Sequence, residues 1–149
     1  FLMDKTFGLC RSTEDCGKGI SMLALRLFAA YEFGEAGLAK WRGENWFGDI
    51  RDAFPFPFDL LPAGLSWNLA MGAELVVPVL LVLGLLTRLG ALALMILTAV
   101  AWYAVHAGNG YNVCDNGYKM AFIYLLLLLP LLLQGAGKYS LDYLLFRKK

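Results

Sequence analysis

The chain has 149 residues, of which 59% are hydrophobic and 17% charged, with a formal net charge of +1. Soluble domains carry roughly 45–50% apolar and about 25% charged residues, and so short a chain has too little interior to hide the excess. An ordinary soluble fold is excluded, nucleic acid is not an expected partner, and the mean hydropathy of +0.59 reads as lipid-facing surface.

A membrane helix needs about 20 mainly apolar residues to cross a hydrocarbon core of about 30 Å. Four such spans are predicted, at about 20–41, 67–86, 89–106 and 119–134. The first carries Arg26, Glu32 and Glu35, and the second carries Glu74 and Pro78. The third is smooth and ends at His106. The fourth is a leucine run, interrupted by Pro130, that stops at Gly135-Ala136-Gly137, a helix-ending signal.

Only Thr87-Arg88 separates the second and third spans, which makes them a tight antiparallel hairpin. Gly108-Asn109-Gly110 and Asp115-Asn116-Gly117 supply turns between the third and fourth. Residues 42–66 interleave Trp46, Phe47, Phe54 and Phe56 with acids and prolines, a mixture suited to an interfacial cap in the headgroup layer. The tail, 135–149, places Leu141, Tyr143, Leu144 and Phe146 before Arg147-Lys148-Lys149, a short amphipathic segment. The expected fold is all-α: a single integral membrane domain built as a four-helix bundle, with an interfacial loop between helices 1 and 2.

Basic residues near the span ends set orientation. Lys5, Arg11, Lys18, Arg88, Lys138, Arg147, Lys148 and Lys149 share one face, against Lys40, Arg42, Arg51 and Lys119 on the other. Both termini are therefore expected in the cytoplasm. The cysteines, Cys10, Cys16 and Cys114, form no C-x-x-C pair and imply no disulfide framework. Cys10 and Cys16 fall on the expected cytoplasmic side, where thiols stay reduced.

An ionisable group inside a span costs about 2.5–3.5 kcal/mol on insertion scales, so such groups face a bundle interior and find partners. At ~1.5 Å of rise per residue, Glu32, Glu35, Glu74, His106 and Lys119 all fall in the outer half. They are the candidate catalytic set, lining one polar cavity, with Tyr31, Trp102 and Tyr103 as nearby candidates for holding a cofactor. The competing reading is structural, with Glu74 and Glu35 paired to Lys119 and Lys40 to lock the helices. Arg26, in the inner half, is a lipid or interhelical anchor, and Arg88 a topological one. His106 and Cys114 lack the further ligands a metal site needs.

Three runs carry a family resemblance. They are Leu25-Arg26-Leu27 with Phe33-Gly34-Glu35-Ala36-Gly37-Leu38-Ala39-Lys40, then Glu74 with Gly84-Leu85-Leu86-Thr87-Arg88, then Gly135-Ala136-Gly137-Lys138-Tyr139-Ser140-Leu141-Asp142. In this order, over about residues 20–142, the chain resembles the DoxX family. The resemblance implies a bacterial inner-membrane protein related to the membrane subunit of thiosulfate:quinone oxidoreductases, beside a soluble redox or modifying enzyme. Glu44-Asn45-Trp46-Phe47 is similar to a branch found beside enzymes that modify cysteine-rich, metal-handling peptides. Lys119 stands where many relatives have a glutamate, so a mechanism does not carry over unchanged.

Two functions follow. The first is a quinone-linked component of a redox pathway, an oxidoreductase subunit with quinone as its cofactor. No haem ligand pair, flavin motif or redox dithiol appears in the sequence, so the chemistry would come from a bound quinone or a partner. The alternative is a non-enzymatic membrane scaffold, or a small-solute or metal-handling partner for a soluble enzyme. Membrane lipids are expected partners in both, and a homo-oligomer is left open.

Overall fold

A computed structural model describes residues 13–146, and every regular element among them is helical. Helix α1 (Thr13–Arg42) begins seven residues before the expected boundary. Glu14 and Asp15 in its first turn complement the helix dipole, and Glu14 pairs with Lys18 one turn on at 2.8 Å. These contacts continue the helix past the apolar stretch. Cys16, in the same turns, is held in a disulfide, which corrects the expectation of a reduced thiol. That expectation weighed only the C-x-x-C spacing and the assumed compartment, whereas a disulfide requires only that two Cα atoms come within about 7 Å. Cys114 is free and exposed. Cys10, Lys5, Arg11, Arg147, Lys148 and Lys149 lie outside the described residues.

The connection to the second span is more ordered than a loop. It holds a single helical turn, α2 (Phe47–Ile50), and two 3₁₀ turns, Arg51–Ala53 and Phe58–Leu60. Helix α3 (Ala63–Leu83) starts directly after Pro62, whose fixed φ suits the entry to a helix, and ends at Gly84 with φ +72°. Helix α4 (Thr87–Ala101) continues into a π-helical turn, Trp102–His106. Helix α5 (Lys119–Gln134) and the short α6 (Leu141–Phe146) complete the described chain.

The four long helices close a ring: α1 packs on α3, α3 on α4, α4 on α5, and α5 back on α1. Its centre is filled by Met22, Ala29, Phe33, Leu81, Leu94 and Leu128. Large apolar side chains such as Val76, Val79, Leu89, Leu126 and Leu133 point outward, so the ring is apolar outside as well as within. Ala63–Leu83 and Thr87–His106 are long and apolar enough to cross a membrane. Helix α5, with 16 residues, is about 24 Å long and falls short of the ~30 Å hydrocarbon core. Helix α1 has ample length but carries ionisable residues along it.

One end of the ring is tied by residues distant in sequence. Arg26 is fully buried and donates from Nη1 to the Leu81 carbonyl at 3.1 Å and from Nη2 to the Tyr139 carbonyl. Asp142 donates its backbone N–H to the Gly84 carbonyl at 3.1 Å, while its carboxylate accepts from the N–H groups of Leu86 and Thr87 at 3.1 and 3.3 Å. A carboxylate on the first amides of α4 serves as its N-terminal cap, supplied from beyond α5. Arg88 is exposed at the same end, with its stem against Gly135. Asp142→Ala is expected to lower stability by about 1–2 kcal/mol, the usual value of a lost cap, as a lower melting temperature in detergent. Unchanged melting would mean that the cap adds nothing.

Candidate functional site

The close approach of α1 and α3 builds the site. A Cβ on Gly37 would stand 2.8 Å from the backbone carbon and oxygen of Glu74, so only glycine permits this separation. Gly34, one turn earlier, packs on the Pro78 ring at 3.6 Å by the same measure. With the helices this near, Lys40 reaches across and its Nζ meets Glu74 Oε2 at 2.6 Å. Glu74 is 3% exposed. Its cation is therefore Lys40, on the neighbouring helix, and the pairing with Lys119 is not the one formed.

Beside this pair lies a cavity of about 240 Å³ between α3 and α4. Small side chains make the room: Ala70 and Ala73 on α3, Ala93 and Ala101 on α4. The connection from α1 to α3 roofs it with Trp46, Phe47 and Phe54. Phe47 stands edge-on to Trp67 at 5.0 Å and to Phe54 at 5.3 Å between ring centroids, a geometry that aromatic quadrupoles favour. This connection thus packs down onto the helices. The cavity wall is apolar except for Lys40, Glu74 and Ser66. Ser66 Oγ is buried and makes no hydrogen bond, a polar group left for something else to satisfy.

The other candidate residues occupy different places. Glu32 accepts a hydrogen bond from the Tyr124 hydroxyl at 2.6 Å, joining α1 to α5. Glu35 is exposed on the outer surface of α1. His106 Nδ1 lies 2.8 Å from the Asn116 carbonyl, where Asn109 also donates, and closes the α4–α5 connection. Lys119 stands over the Tyr111 ring, 5.7 Å from its centroid. Trp102 stacks on Tyr118 at 4.8 Å, while Tyr31 and Tyr103 are 66% and 62% exposed. Of the five ionisable candidates, only Glu74 lines the cavity between α3 and α4.

Lys40 and Ser66 complete that polar lining; the sequence reading names Lys40 as a locking cation but pairs it with Glu35 rather than Glu74, and does not name Ser66. Lys40 reads as an outer topological anchor in sequence, and a serine at the head of a span carries no signal of its own.

The DoxX family model matches residues 21–107, the stretch that holds the Gly37 contact, the Lys40–Glu74 pair and the whole cavity wall. The chain belongs to the DoxX family. Two uncharacterized proteins of Haemophilus influenzae are similar to it. One is 60% identical over 137 residues, covering 89% of this chain and 91% of its own. The other is 34% identical over 134 residues, covering 83% and 90%. No solved structure matches. Membership makes this DoxX chain a membrane-associated component, in keeping with its two membrane-length apolar helices.

Proposed function

We propose that this chain is a four-span inner-membrane protein that takes an amphipathic quinone-class molecule into the cavity between α3 and α4, as the membrane component of a redox pathway. One observation carries the reading. An apolar cavity whose polar lining is an ion pair and an orphaned hydroxyl is matched to an amphipathic ligand, polar at its head and hydrocarbon in its body.

The residues present fit a quinone ring. Its carbonyl oxygens need donors set in otherwise apolar walls, and Lys40 Nζ and Ser66 Oγ are donors among the lining residues. A bound quinone supplies reversible two-electron, two-proton chemistry. Glu74 holds the Lys40 ammonium in position, and the rings of Phe47 and Phe54 keep water from the head. Glu32 and Tyr124 form a second hydrogen-bonded pair, able to hold a proton at the α1–α5 seam. A soluble redox or modifying enzyme is the partner that would deliver or withdraw electrons.

The count of basic residues supports cytoplasmic termini. The Cys16 disulfide argues the other way, since such bonds persist in oxidising compartments. We retain the orientation given by the basic residues. A reporter fused after Lys149 that is active only in the periplasm would reverse it.

Ala93→Leu tests the cavity, because it fills space on α4 without touching the ion pair. Purified wild-type protein is expected to yield a quinone on solvent extraction, identified by mass spectrometry. The variant should retain about tenfold less, equal to ~1.4 kcal/mol of binding, with unchanged melting. Absence of any extractable ligand from the wild type would sink the proposal and favour the scaffold alternative.

A further inference from the structure

Two opposite charges stand on the outward surface of neighbouring helices. Glu35 on α1 is exposed and makes no hydrogen bond or ion pair among the described residues. Lys119, the first residue of α5, is also exposed, and the Tyr111 ring is the contact it makes. Below them along the two helices the surface is apolar, with Phe28 at 46%, Phe122 at 40% and Leu126 at 53% exposure, while the exposed polar loop 109–116 borders Lys119 on its other side. A lipid-facing carboxylate is unfavourable in a span, whereas the same group against a cation on another chain is not.

The heights of the two charges can be compared through the Glu32–Tyr124 hydrogen bond, which fixes the register of α1 against α5. These helices run antiparallel in a ring of alternating direction. Glu35 lies three residues beyond Glu32 toward the cavity end, a rise of about 4.5 Å, and Lys119 lies five residues beyond Tyr124 in the same direction, about 7.5 Å. The two charges therefore sit within about 3 Å of one level along the helices.

The geometry points to a second copy of this chain as the occupant of this face. In the twofold dimer, α1 of each copy lies against α5 of the other, and Glu35 meets Lys119 of the partner copy twice. Because α1 and α5 are neighbours within one copy, a single axis along their seam brings each against its counterpart. An isologous interface needs a self-complementary patch, and a patch with one acid and one base at the same height is self-complementary. A foreign helix would need both charges in the reverse arrangement. Phe28 and Leu126 fall at matching heights below the charges and fill the rest of the seam.

The inference rests on the reading of α1 and α5 as membrane spans, but not on which way they face. The full chain, with Cys114 replaced by serine, is reconstituted at low density in lipid vesicles and counted by single-molecule photobleaching. Wild type is expected to be dimeric. Glu35→Lys and Lys119→Glu should each weaken dimerisation about tenfold or more, a change of ~1.4 kcal/mol or above, and the double exchange should restore it. In a chain otherwise wild type at the charges, Phe28→Cys with Leu126→Cys should give an oxidative cross-link running as a dimer, which keeps the test open if a charge variant fails to fold. A monomeric wild type, a missing cross-link, or single exchanges that fold and still dimerise would each overturn the inference. Resistance of the chain to alkaline extraction from native membranes reports the spanning reading separately.

Discussion

Lys40→Met is expected to cost about 3–5 kcal/mol, because it leaves the Glu74 carboxylate buried beside an apolar cavity with its cation removed. Glu74→Gln alone should cost less, since the lysine stem is flexible and Lys40 lies near the end of α1. The double variant should recover most of the Lys40→Met loss, as removing both partners removes the unpaired charge. Thermal melting of the two single variants and the double measures this coupling. Ligand content separates the roles of the pair. If Lys40 donates to a quinone carbonyl, the recovered double variant is stable and still empty. A double variant that regains both stability and ligand would reduce the pair to interhelical glue.

Gly37→Leu should be at least as damaging, by a different route. The atoms a new Cβ would meet are the backbone of Glu74 at 2.8 Å, which cannot rotate away, so α1 and α3 must separate. Overpacking of this kind costs about 1–3 kcal/mol, and a further loss comes from parting Lys40 and Glu74, for an expected total of about 3 kcal/mol or more. Gly17, in the same helix, has nothing within 4 Å of its own Cβ position. Gly17→Ala should accordingly be neutral or stabilise by up to about 1 kcal/mol. Equal melting of Gly37→Leu and wild type would show that the helices do not depend on this contact.

Hydropathy and turn residues were enough to place the four long helices. Leucine runs and the signal at Gly135 are local, and local signals mark where a helix stops, whereas the stop at Gly84 falls inside the span expected at 67–86. The start of α1 was harder to see, because Glu14, Asp15 and Lys18 interrupt the apolar run while stabilising the helix. Partners were less legible still. The outer-half charges looked convergent because depth can be read from residue counts, but rotation about the helix axis decides whether a side chain enters the ring. Glu35 and Glu32 are three residues apart, and yet one faces outward while the other meets Tyr124. Tyr124 itself sits inside a leucine run, and no spacing rule ties it to an acid 92 positions earlier. The cavity was invisible for a related reason: four alanines on two helices make a space only when the helices are set face to face.

The tie at the far end of the ring has a consequence for biogenesis. Arg26 is synthesised with the first helix, but its Tyr139 acceptor is 113 residues away. Asp142, which caps α4, leaves the ribosome later still. During synthesis the guanidinium and the start of α4 therefore stay open to water or headgroups until the final stretch emerges, and then close together. A chain that stalls or is clipped before residue 139 lacks both closures at once. Such a product presents an arginine that keeps Leu81 but has lost Tyr139 as an acceptor, a feature by which membrane proteolysis can tell unfinished copies from complete ones.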